Sequence, residues 1–145
     1  MLLAEEGDFP DVEAVVMDML SVIDVDGNLV GDRSGTRTPA DVDLPYFHVF
    51  RSNAAGMNPG GWQDTAALYV AAWADTREQS RQMIRGLRAI VAAYCDGGDH
   101  KGVLLDRVWE SGGPGPLPTL DEDDRRIETT VNVRLRRHFR PAVDA

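Results

Sequence analysis

The sequence predicts an α+β domain: an antiparallel four-stranded sheet with two helices packed mainly on one face, in the order helix, strand, strand, helix, strand, strand. Three observations predict it. Two segments carry apolar residues at helical spacing, the closing segment IETTVNVRLRR alternates apolar and polar residues, and the connections between segments are short. The chain has 145 residues, of which 43% are hydrophobic and 27% charged. That suits one folded domain, 1–145, able to bury a core without disulfides.

The first helix is placed at 10–21. Val12, Val15, Val16, Met19, Leu20 and Ile23 form one stripe, Asp8 and Pro10 precede it, and Asp11 and Glu13 suit its positive end. Residues 24–43 are rich in Gly, Asp, Thr and Ser. Within them Asp26-Gly27 is a hairpin dipeptide that allows a small β-excursion. LPYFHVFR (44–51) is aromatic and β-branched and reads as a strand, with Pro45 at its start where a ladder donor is dispensable. TAALYVAAWA (65–74) is apolar on both faces and reads as a central, doubly covered strand. Between them lies a flexible loop, 52–64, whose glycines and proline carry Met57 and Trp62 as isolated large side chains.

The second helix is placed at 76–95, with Asp75 as its cap and Glu78 completing a capping box. Met83, Ile84, Leu87, Ile90, Val91 and Tyr94 form its apolar stripe, and Gly97-Gly98 ends it. VLLDRVWE (103–110) is the third strand. A Pro/Gly-rich and acidic loop, 111–126, leads to the fourth, 127–137, where Ile127, Thr129, Val131, Val133 and Leu135 share one face.

Charge is uneven. Net charge is −9 overall, yet residues 1–30 hold eight acids and no base, while 76–145 hold eleven acids and twelve bases. Such asymmetry points to two different surfaces, and the acidic total excludes a dedicated nucleic-acid binder. The opening MLLAEEGDFP lacks the basic and apolar regions of a signal peptide, and no apolar stretch approaches membrane length. A soluble protein made in a cytosol is expected.

Motifs for chemistry are absent: no GxSxG, HExxH, phosphate loop or dinucleotide fingerprint occurs. Asp24-Val-Asp26-Gly-Asn28 starts like a calcium loop, but Leu29 stands where glycine should, so a turn explains it better. The run Asp121, Glu122, Asp123, Asp124 reads as a solvated turn. His48, His100 and His138 are not at ligand spacing, and His48 reads as a partly buried, satisfied side chain. Cys95, the only cysteine, reads as a packed small residue. No catalytic residue, cofactor or metal is expected.

One constellation stands out. Arg77, Arg81, Arg85 and Arg88 run along the second helix off its apolar stripe, as either a solvated face or an interface for the acidic segment of a neighbour. With Met57 and Trp62 they are the candidate interface residues.

FPDVEAVVMDML, DLPYFHVFR, the glycine-rich excursion, YVAAWADTREQSRQMIRGL, LLDRVWESGGPGPLP and VNVRLRRHFRP occur in that order. Together they resemble the tail terminator (tail completion) proteins of long-tailed, siphovirus-type phages of GC-rich bacteria. The resemblance implies a non-enzymatic subunit of a ring homo-oligomer, a hexamer, at the head-proximal end of the virion tail. Its implied partners are further copies of itself, the tail tube protein and the head-completion protein, with genomic DNA passing through the channel without specific binding. Two other readings stay open: a head-completion or connector ring component, and a small ligand-binding or enzymatic domain with a pocket built from Tyr69, Trp73 and Trp109.

Overall fold

A computed structural model describes residues 7–37, 43–116 and 126–137. The acidic run 121–124 and His138 lie outside the described residues. The elements are α1 (Val12–Leu20), β1 (Asp24–Val25), β2 (Asn28–Leu29), β3 (Ser34–Gly35), β4 (Tyr46–Arg51), β5 (Gln63–Trp73), α2 (Arg77–Ala93), β6 (Gly98–His100), β7 (Val103–Pro116) and β8 (Arg126–Arg136).

The sheet corrects the sequence expectation. It has six strands, not four, in the order β3-β4-β5-β8-β7-β6, and it is mixed, because β3 runs parallel to β4. The four long strands expected are β4, β5, β7 and β8; the additions, β3 and β6, are two or three residues long and occupy its edges. Short edge strands leave little ladder for unwanted pairing. A separate hairpin, β1–β2, turns through Asp26 and Gly27, both at positive φ, as the Asp-Gly dipeptide foretold. Lys101 and Gly102 make the same kind of turn between β6 and β7.

Both helices cover one face of the sheet. Val15, Val16, Leu20, Met83 and Leu87 join Phe47, Val49, Leu68, Val70, Val131, Val133 and Leu135 in one buried cluster. Burying each such side chain stabilises by about 1.5–3 kcal/mol. A bulge at Asp106 shifts the register between β7 and β8, so that Leu105 and Val108 both face this core and Arg107 turns away. β5 is central, between β4 and β8. Its second face has no helix; Ala67 and Ala71 are buried there by surrounding side chains, and Tyr69 and Trp73 are half-buried. β7 continues to Pro116, through residues expected to begin a loop.

The caps differ from expectation by small steps. α1 starts at Val12 on the Asp11 carboxylate, which accepts from the Ala14 N–H. α2 is capped by Thr76, not Asp75: the Thr76 hydroxyl accepts from the Gln79 N–H, and the Gln79 side chain accepts from the Thr76 N–H. Thr76→Ala should therefore destabilise the domain by about 1 kcal/mol. Urea titration checks this, and an unchanged midpoint would remove the box from the account of α2. Cys95, expected to be packed, is exposed. At Gly86 an added Cβ would lie 2.7 Å from the Ile23 side chain, so glycine is what lets the hairpin lie against α2.

Candidate interaction surfaces

The helical spacing of the arginines carries through to the structure. Arg77, Arg81, Arg85 and Arg88 line one groove of about 620 Å³, whose apolar floor is Ile84 and Ile127 and whose far wall is Pro114 and Gly115. All four are exposed. Arg88 reaches Glu110 at 3.2 Å, and Arg85 reaches Glu78 at 4.0 Å. The Arg85–Glu78 pair is exposed on both sides and holds little energy, whereas Glu110 is only 14% exposed and keeps Arg88 more firmly.

The other predicted residues lie at the opposite end of the sheet. Gln63 pairs with Arg136 where β5 begins, and Ala72 pairs with Ile127 near where it ends. At about 3.3 Å per residue, the two surfaces stand roughly 30 Å apart along the strand. Met57 and Trp62 are 57% and 66% exposed. Trp62 lines a second groove with Leu104, Arg136 and Arg137. The loop's backbone is held locally: the Asn58 side chain accepts from the N–H groups of Trp62 and Gln63, and Met57 bridges Asp64. Arg137 donates to the carbonyls of Gly61 and Gly7, contacts the Met57 sulfur and lies 4.5 Å over the Phe9 ring. Sequence reasoning missed Leu104, Arg136 and Arg137. Leu104 alternates with buried Val103 and Leu105, and that alternation was the available signal.

The root of this loop is fixed by a bidentate pair. Arg51 donates to both carboxylate oxygens of Asp64, at 2.6 and 2.7 Å, and the pairing raises the arginine's pKa further. Asp106 binds Gln63 and Arg136 nearby.

The helix-free face is aromatic. Phe50 stacks on Tyr69 at 4.7 Å between centroids, with His48 tilted to Phe50 at 5.1 Å and edge-on to Tyr69 at 5.6 Å. His48 is buried, with Nε2 3.2 Å from the Thr36 carbonyl, as the sequence reading expected. Arg126 covers Trp73 at 4.2 Å, while Arg107 and Arg134 approach Trp109 at 4.9 and 5.4 Å. Tyr69 opens onto a depression of about 200 Å³ with Glu128 and Ser111. Burial and a hydrogen bond to Glu128 push its phenol well above the usual range. Tyr69, Trp73 and Trp109 thus sit in three different local settings.

Elsewhere, Asp24-Val-Asp26-Gly-Asn28 is the β1–β2 turn. Hydrogen bonds from Gln82 and Gln79 lower the Asp26 pKa. Among the described residues no three His, Cys, Asp or Glu side chains gather as metal ligands. Asp18 ties α1 to the β6–β7 turn, 2.8 Å from Lys101 and 2.7 Å from His100. Hydrogen bonds from Lys101 and then His100 lower its pKa. A depressed carboxylate contributes stability above its unfolded value, near 3.9, and loses it as pH falls through the lower folded value. Asp18→Asn should therefore remove a contribution of under about 1 kcal/mol at pH 6, and a smaller one at about pH 2 as the carboxylate begins to take up its proton. Urea unfolding at the two pH values tests it; an equal loss at both would deny the ionic origin.

The exposed features of this α+β fold are an arginine groove and a knobbed loop, surfaces suited to contacts with other proteins. The model of the phage tail termination protein family matches residues 8–141, and the chain belongs to that family. It is a structural component of the phage tail and hence of the virion. Comparison with curated proteins returns no match. No helix among the described residues is long and apolar enough to cross a membrane.

Proposed function

We propose that copies of this chain close into a hexameric ring on the head-proximal end of the tail tube. The ring ends tube polymerisation and presents its other face to the head-completion protein. The observation that carries this reading is the separation of two unlike surfaces at opposite ends of the sheet: an arginine groove beside Ile127, and an apolar loop beside Gln63. A ring subunit in a tail needs two such surfaces, one for the neighbouring copy and one for the tube. The sequence expectation of a flexible 52–64 loop gives way to a segment held by Asn58 and Arg137 up to β5 at Gln63, which offers Met57 and Trp62 to the tube; amide exchange on the free chain and on tails would compare the two states. The role is structural and not catalytic. DNA passes through a channel whose net acidity, consistent with the −9 charge, keeps it from sticking. The tail is of the long, siphovirus type and the host GC-rich; the second fits the basic residues, since Lys101 is the lone lysine among fifteen. The test is deletion of the gene in the phage. Tails of uncontrolled length, unjoined to heads, are the expected product, and normal tails would end the proposal.

A further inference from the structure

The hairpin β1–β2 and its flanks form a rigid knob. Val22 and Leu29 are 67% and 59% exposed, while Ile23, Val25 and Val30 face the core. The ladder sets Asp24 opposite Leu29, and Asp32 is exposed nearby in the chain. The knob is clamped to α2: the Asp26 carboxylate accepts from Gln79 and Gln82, both at 2.9 Å, and its N–H donates to Gln82. Little ordering cost would accompany its insertion into a partner.

The clamp occupies the flank of α2 bearing Gln79, Gln82 and Gly86. The rest of the arginine groove lies across the buried stripe of Ser80, Met83 and Leu87, while Arg85 borders both surfaces. One flank therefore presents acids around two apolar tips, and the other presents arginines around the apolar Ile84 and Ile127. Arg77 and Arg81 meet no carboxylate among the described residues.

We propose that the hairpin of one copy seats in the arginine groove of the next, Val22 and Leu29 on the apolar floor and Asp24 and Asp32 toward Arg77 and Arg81. Knob and socket are different patches, so the contact is heterologous. Each copy keeps one free knob and one free socket, and a closing rotation makes a ring. The occupant is a second copy because the same chain supplies both the matching charge and the matching apolar tips. The proposal names the boundary on which the ring reading above depends.

Cysteine pairs test it in the full chain, in a Cys95→Ser background. Leu29→Cys mixed with Arg81→Cys should cross-link to a heterodimer under mild oxidation, and neither should cross-link to itself. A chain carrying both should give a ladder that ends at the ring number. In a second arm, Arg81→Glu and Leu29→Asp should each weaken association at least about tenfold with unchanged melting. Their mixture should stop at one-to-one dimers, because it contains one intact knob and one intact socket. A mixed cross-link no stronger than that of Ala54→Cys with Arg81→Cys would overturn the proposal. So would self-cross-linking of Leu29→Cys, or loss of association when Asp121, Glu122, Asp123 and Asp124 are neutralised while Leu29→Asp has no effect. Rings seen by electron microscopy without the cross-link refute this boundary and spare the ring. Cross-linked chains that never close support the boundary and refute the ring.

Discussion

Replacing Phe47 by alanine should lower the unfolding free energy by about 3–5 kcal/mol, the range for emptying an aromatic site in a packed core. Phe47 is fully buried and heads the largest side chains of the interior. It stands opposite Ala72 on β5, and the small partner is what makes room for the ring. The vacated space is hard to close, because the backbone around it is tied on both sides. β4 pairs with β5 on one edge and β3 on the other, and the Phe47 N–H donates to the Arg33 carbonyl at 3.0 Å. For a domain with about 5–15 kcal/mol in total, such a loss brings a fall in Tm on the order of 10 °C. Phe50, on the other face and 36% exposed, is the control, since its truncation leaves an open surface and not a cavity. Thermal and urea melts of both variants check the pair; equal losses would show that the two faces of β4 are packed alike.

Period two along 44–51 separates Phe47 from Phe50 but marks neither face as the core, since Tyr46 and His48 beside Phe50 are buried too; the helical part of the core was legible. Stripes at helical spacing named the buried faces of α1 and α2 because burial is a repeating demand on sequence. β3 and β6 were illegible for the same reason: two or three residues cannot repeat anything. Ser34 and Gly35 are a strand only because Phe47 and His48 pass beside them, a long-range fact. The shift of the α2 cap from Asp75 to Thr76 is a choice between adjacent residues that both suit the role, with Glu78 and Gln79 each able to close the box. The arginine face was readable from spacing alone. Its groove was not, since Pro114, Gly115 and Ile127 reach it from β7 and β8, which no local pattern places beside α2. Arg137 shows the limit most clearly. One more arginine in a basic closing strand carries no local mark of its bonds to residues 76 and 130 positions away.

Cutting back Trp62 should weaken docking of the subunit to its tail partner by at least about 2 kcal/mol, roughly thirtyfold, while leaving the fold unchanged. Trp62, Met57 and Leu104 keep more than half their surface in water at one end of the sheet. Each square ångström of that apolar surface removed from water stabilises a complex by about 25 cal/mol. Arg136 and Arg137 stand beside the Trp62–Leu104 groove and supply the polar rim that such a contact wants. Deleting the loop would be a poor test. Asn58 caps the N–H groups of Trp62 and Gln63, and the Gly61 carbonyl binds Arg137, so deletion would also release Phe9 and Gly7 from that arginine. Side-chain changes avoid this, since the backbone groups survive in Trp62→Ser and Met57→Ser. The expected result is a subunit with wild-type melting that no longer completes tails in extracts lacking the natural protein, with Leu104→Ser adding to the defect. Full completion by the Trp62→Ser, Met57→Ser double variant would take the loop out of the joint.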